Sequence, residues 1–227
     1  MKTDTRKLLA GLGLMAALSG NAFAQAGTGS LTNWSVFGDA VSQGGAITLT
    51  TARLDGGEDQ ASNLSTHAAV DISVLESAAG VAPYGLDLSP DDYGFEGSLV
   101  GQSFAAAAGD TLSFDWSFST LEAFFEDRAF VVINGEVITL ATLSAPGAAS
   151  QTFSYTVGAT NTLSLSFGVI DTVDYLGVSS LSISNLQLTP ATAPIPEPGT
   201  YALLLGGLGV LGFVARRRRD AARQQPR

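Results

Sequence analysis

The stretch TLSFDWSFS at 111–119 alternates without a break. Leu112, Phe114, Trp116 and Phe118 fall on one side, and Thr111, Ser113, Asp115, Ser117 and Ser119 on the other. Side chains of an extended chain alternate between faces, so this pattern fits a strand with one buried face and one wet face, and fits no helix. The same period returns in QTFSYTV through Phe153, Tyr155 and Val157, and in NTLSLSFGV through Leu163, Leu165, Phe167 and Val169. LSISNLQL runs through Leu181 and Ile183, then changes phase to Leu186 and Leu188, which predicts a bulge near Asn185. Shorter strands are expected around Ile47–Leu49 and Val70–Val74. Asn134-Gly135 between RAFVVI and EVITLA predicts a two-residue hairpin. TLEAFFED reads as a loop. Many short strands punctuated by turns imply an all-β fold, an antiparallel sandwich of jelly-roll type.

The two ends of the chain obey other rules. MKTDTRKLLAGLGLMAALSGNAFAQ places Lys2, Arg6 and Lys7 before an apolar run from Leu8 to Leu18, and closes on Ala22-Phe23-Ala24. That order is a signal peptide over residues 1–24, with cleavage between Ala24 and Gln25 and export by the Sec machinery. At the other end, the 17 residues from Gly199 to Ala215 carry no charge, and Arg216, Arg217, Arg218 and Arg219 follow at once. A helix of that length is about 25 Å, short for a hydrocarbon core of about 30 Å. The expectation is a single C-terminal transmembrane helix with the arginines held on the cytoplasmic side. Pro194, Pro196 and Pro198 keep the preceding segment extended.

Between these ends, residues 25–193 make one domain's worth of chain, a β-sandwich domain. Only Arg53 and Arg128 of the 11 bases fall inside it, against 18 of the 21 acids, so it carries a formal charge of −16. Such a surface repels nucleic acid. Cysteine is absent, which excludes thiol chemistry and disulfide staples.

Pro196-Glu197-Pro198, a glycine-rich apolar helix and the arginine cluster together resemble the PEP-CTERM sorting signal of exported bacterial proteins, over residues 194–219, with 220–227 left as a cytoplasmic tail. The resemblance implies recognition by an exosortase-type protease, a transient anchor in the inner membrane with the body on the periplasmic side, and release to the cell surface or extracellular matrix. The body from Gly94 to Leu188 also resembles a domain of exported PEP-CTERM and adhesin-like proteins, through FEGSLVGQSFAAAAGDTLSFDWSFS and FGVIDTVDYLGVSSLSISNLQL. That resemblance speaks to fold and hardly to activity.

No reactive centre stands out. Gly207-Leu208-Gly209-Val210-Leu211-Gly212 spells G-x-G-x-x-G, but without the strand before it and the acid about 20 residues on that a dinucleotide site needs. His67 is the only histidine, and no G-x-S-x-G elbow accompanies it. The chain therefore reads as non-enzymatic. Loop carboxylates could hold a structural Ca2+, and the expected set is Glu126, Asp127, Asp171 and Asp174. The same acids are the place to look for a glycosidase pair. Trp34, Tyr84, Tyr93 and Tyr175 lie in irregular stretches and are the candidates for stacking on sugar, with a plug at one end of the sandwich as the other reading. The function expected is a structural or adhesive role at the surface, in biofilm or exopolysaccharide. The alternatives are a carbohydrate-binding module, calcium-dependent or not, and a secreted polysaccharide hydrolase.

Overall fold

The computed structural model describes residues 31–55, 57–158, 162–191 and 198–223. The signal-peptide cleavage site at Ala24 and Gln25, and Pro196 and Glu197 of the sorting motif, lie outside those residues. The chain divides into two units, one reaching Thr189 and one starting at Pro190.

The first unit is a sandwich of two antiparallel sheets. One sheet runs in the order β1 (Ser35–Phe37), β5 (Gly94–Ala105), β10 (Thr162–Thr172), β7 (Asp127–Ile133) and β8 (Glu136–Leu143), with β4 (Val70–Asp71) beside β5. The other runs β2 (Asp39–Gln43), β3 (Ala46–Thr50), β11 (Ser179–Thr189), β6 (Thr111–Thr120) and β9 (Gly147–Thr156). The two alternating strands closest to the sequence pattern, β6 and β10, sit inside their sheets and send Phe114, Phe118, Leu163, Leu165 and Phe167 into a shared core. Phe114 meets Phe153 stacked at 4.8 Å and Phe167 edge-on at 4.8 Å, so aromatic contacts run along one sheet and across to the other. The Asn134-Gly135 turn joins β7 to β8, with both residues at positive φ. The bulge expected near Asn185 is present as a register shift between Ser184 and Gln187, with Asn185 at φ 52°.

One element differs from the expectation. Residues 70–74 are a two-residue strand followed by helix α2 (Ile72–Ala79) rather than a strand throughout. Asp71 caps the helix by accepting from Ser73 N at 2.8 Å, and the hydrogen bonds from Ser73 hold its carboxyl below the usual aspartate range. Gly80 closes the helix in the left-handed conformation. These local hydrogen bonds outweigh the β-branched residues Ile72 and Val74. The reward is a second small core in which Leu75 and Ala79 pack with Leu99, Phe130 and Ile170. A six-residue helix, α1 (Gly57–Ser62), precedes it.

The second unit contains helix α3 (Pro198–Arg223). Among the described residues no helix is long and apolar enough to cross a membrane. The expected transmembrane helix is therefore present as a helix but not at full spanning length: its uncharged run stops at Ala215, and the turns beyond it are arginine-rich. Gly207 to Gly212 lie within α3, where no strand–turn–helix can form a dinucleotide site.

Candidate functional site

The carboxylates expected to gather around an ion are only partly brought together. Asp127 opens β7, Asp171 stands one residue before the end of β10, and both are buried. Asp127 accepts from Ser179 Oγ at 2.6 Å, from Thr120 Oγ1 at 3.0 Å and from Thr172 N at 3.4 Å. Thr120 and Ser179 belong to one sheet and Thr172 to the other, so this carboxyl ties the two layers. Burial pushes Asp127 up to about 6, against the pull of the three hydrogen bonds. Asp171 is pushed well above the ordinary range, first by burial and then by the charge of the neighbouring Asp127, and its Oδ1 has no hydrogen-bond partner among the described residues. Two buried carboxyls this close favour the protonated form, since the charge of one disfavours the charge of the other.

Glu126 and Asp174 do not join them. Glu126 is exposed and contributes its backbone carbonyl to Thr172 Oγ1. Asp174 turns back to Leu176 N at 3.0 Å. Glu122, which the sequence did not single out, is the buried acid of that loop. It accepts from Ala123 N at 2.5 Å and from Phe124 N and Phe125 N. Gly177, at φ +73°, lies so close that a Cβ there would stand 2.7 Å from Glu122 N. Among the described residues no group of three or more acids or histidines is placed to hold a metal ion. The cluster is a buried polar keystone, and neither Asp127 nor Asp171 lines the groove between α2 and the 83–94 loop. His67 is exposed, with Ser65 Oγ 3.5 Å from Nδ1.

The aromatics separate as well. Trp34 is not a platform: it is only 8% exposed and sits tilted over Phe167 with ring centres 6.0 Å apart. A tight turn, Trp34 N to Leu31 O at 2.9 Å, folds it over the core as the plug. Tyr175 stays partly exposed but is packed by Phe95 at 5.9 Å and by the Arg53 guanidinium at 5.0 Å from its ring. Arg53 in turn pairs with Asp55 and Glu96, each at 3.1 Å.

Tyr84 and Tyr93 meet in a groove of about 750 Å3, together with Ile72, Ser73, Glu76, Pro83, Asp87, Ser89, Pro90 and Gly94. Helix α2 forms one wall and the 83–94 loop the other. Tyr84 is 82% exposed and Tyr93 43%. The loop is held from beneath. Asp87 Oδ1 accepts from Gly94 N at 2.9 Å, and buried Glu76 accepts from Leu86 N at 3.3 Å. The Arg128 guanidinium donates to the Leu86 carbonyl and lies 5.5 Å from the Phe130 ring. Burial draws Arg128 down to about 10, while Asp87 opposes the shift. Tyr84 itself is at φ +66°, an uncommon backbone for a bulky residue, and the conformation turns its ring outward. Two exposed rings, two prolines, two hydroxyls and two acids around one cleft can take a ring-shaped polar ligand by stacking and hydrogen bonding.

The sequence pointed to Tyr84 and Tyr93 but not to the wall and floor of the groove. Asp71 with Gly80 nine positions later was the available sign of α2. Asp127-Arg128 at the head of the apolar run AFVVI was the available sign of buried charge.

By fold and surface the body is an antiparallel β-sandwich bearing an open, aromatic, acidic groove. Its C-terminal part is more specific: residues 194–219 match the family described as the PEP-CTERM protein-sorting motif. That motif implies a surface protein sorted by an exosortase. No curated protein matches the sequence. Similar solved structures include a CBM4 structure (10% identity, TM-score 0.34, 71% of this chain and 91% of that one). Another is TmCBM61 in complex with β-1,4-galactotriose (10%, 0.33, 72% and 92%). A third is the N-terminal cellulose-binding domain of Cellulomonas fimi β-1,4-glucanase C (12%, 0.34, 73% and 94%). Likeness of this degree identifies no ligand for the groove.

Proposed function

We propose that the protein is exported and anchored briefly at the inner membrane with its body on the periplasmic side. An exosortase-type protease then sorts it to the cell surface or the exopolysaccharide matrix, where it plays a structural and adhesive part. The motif at 194–219 supports the route. An uncharged run of about 25 Å is short for a core of about 30 Å, a mismatch that local thinning of the bilayer accommodates. Replacing Pro196, Glu197 and Pro198 together with alanine is expected to leave the chain unprocessed in the membrane fraction; normal processing and location would overturn the route.

The adhesive part is carbohydrate recognition, and one observation carries it: Tyr84 and Tyr93 stand exposed in a single groove whose loop is fixed from below by Arg128. Exposed rings held in place lose little freedom when a sugar stacks on them. With Glu76, Asp87 and a body charge of −16, the groove favours neutral or amine-bearing sugars over uronates and sulfated glycans. Binding does not need calcium in this reading, since the groove's ligand atoms are hydroxyls and two carboxylates. A polysaccharide array run on the purified protein, with and without chelator, tests it. Binding to neutral glycans that survives chelation is expected, and no binding in either condition would defeat it. The hydrolase reading has little support, because Asp127 and Asp171 are buried and line no part of the groove between α2 and the 83–94 loop.

A further inference from the structure

The two flanks of the sandwich are built differently. On one, the sheets end in short pieces: β1 has 3 residues, β4 has 2 and β2 has 5. On the other they end in β8, with 8 residues, and β9, with 10. Among the described residues no strand pairs with the outer edge of either. A free edge exposes a row of backbone donors and acceptors that another strand can complete, and proteins guard such edges with lysine, proline or bulges. β9, GAASQTFSYT, has none of the three and pairs with β6 in unbroken register from Thr111↔Thr156 to Thr120↔Gly147.

Charge sharpens the difference. From Val137 to Ile170 not one residue is charged, in a body whose formal charge is −16. Two copies meeting by this flank bring few acids together: β9 has none, β8 has only Glu136 at its start, and Asp115 of β6 is bonded to Thr152 of β9. The core is also thinnest here. Ile138, Ala141 and Leu143 of β8, and Ala149, Phe153 and Tyr155 of β9, pack on it while only partly buried. The inward residues of β6 and β10 are covered almost completely.

We propose that this flank is a self-association surface, on which β9 pairs antiparallel with β9 of a second copy and extends its sheet from one molecule into the next. The pairing is isologous, so each copy contributes the same ten residues and the contact closes at two. It completes the edge hydrogen bonds and covers the rim of Phe153 and Tyr155. It is independent of the glycan reading, and a dimer would carry two grooves.

The chain has no cysteine, so a single introduced one reports only contacts between copies. Ala148→Cys, Ser150→Cys and Ser154→Cys are made in the full chain, kept in mild detergent, with Gln43→Cys on the opposite flank as control. On mild oxidation at micromolar protein, at least one β9 variant is expected to give about tenfold more disulfide-linked dimer than Gln43→Cys, because paired strands hold the thiols at millimolar effective concentration. Adding glutamates at the other two of these positions in the β9 variant that crosslinks most should remove the excess while circular dichroism and thermal unfolding stay near those of the parent. Crosslinking at β9 no greater than at Gln43, or unchanged by the two glutamates, would overturn the proposal.

Discussion

The 83–94 loop and the paired 120–127 and 171–179 loops draw on the same residue types, acids with aromatics and small polar residues, and put them to opposite uses. In the first, acids fix the backbone while Tyr84 and Tyr93 face water. In the second, the acids themselves go inside: Asp127 joins the two sheets and Asp171 leans on it. What separates them is the supply of buried hydroxyls. Thr120 and Ser179 meet Asp127 in the interior, whereas in the groove loop Asp87 bonds to a backbone amide and Asp92 to the half-buried Ser89 hydroxyl. A carboxyl in a core keeps its charge only where donors wait for it, and Asp171, whose Oδ1 has none, is pushed upward instead.

The division of the aromatics between plug and groove gives the largest expected effect. Trp34→Ala should cost about 3 kcal/mol of stability, as truncation of a buried aromatic does, because Trp34 covers Phe167. Chemical denaturation measures it, and glycan binding below the transition should survive. A variant that unfolds like the parent but loses binding would place Trp34 in the site and collapse the distinction.

Next comes pH. Asp127 holds its proton up to about 6 against an ordinary 3.8, and burial raises Asp171 well above its ordinary value too. Carboxyls raised by folding stabilise the fold fully below the ordinary value, and that contribution is lost as pH climbs through the folded value. Raising a carboxyl from its ordinary value to about 6 is worth up to about 3 kcal/mol, which the keystone should lose as the pH climbs from acid to neutral. Asp171→Asn keeps the shape and removes one charge, so its stability should vary less over that range. The check is denaturant midpoints for both proteins at an acid, an intermediate and a slightly alkaline pH. A parent whose stability climbs steadily with pH, and no less steeply than the variant's, would mean that burial does not hold the pair protonated.

The strands were legible because each alternates and because burial on one face is what alternation records. Phe114 and Phe167 could be assigned to the core from spacing alone, as could the phase change at Asn185. Helix α2 was not legible: Ile72 and Val74 favour a strand, and the capping by Asp71 and Gly80 prevails only when Leu75 finds its small core. The expected ion site shows the same limit. Sequence placed Asp127 and Asp171 near each other, but whether Glu126 and Asp174 point toward them depends on loop geometry that no local pattern encodes. Trp34 and Tyr84 look alike in sequence, since both lie in irregular stretches, and a single turn at Leu31 decides which one is covered.

Within the groove, Tyr93→Ala should weaken polysaccharide binding about tenfold, the loss of one stacked ring, and leave the unfolding midpoint almost unchanged. Titration calorimetry against a glycan found on the array reads this directly. Equal loss on Tyr175→Ala would enlarge the site toward the Arg53 ring contact and blur the contrast between the two loops.

The smallest effect is the most discriminating. Tyr84 sits at φ +66°, where a side chain costs about 1 kcal/mol that glycine does not pay. Tyr84→Gly should therefore stabilise the sandwich slightly, by about 0.5 to 1 kcal/mol, while weakening glycan binding. Tyr84→Ala, which keeps the strain and drops the ring, should weaken binding as much with no gain in stability. A gain from glycine alone, paired with loss of binding in both, means the chain tolerates a strained backbone to hold that ring in the groove. If glycine destabilises, the ring is supporting the loop, and Tyr84 belongs with Trp34 as structure.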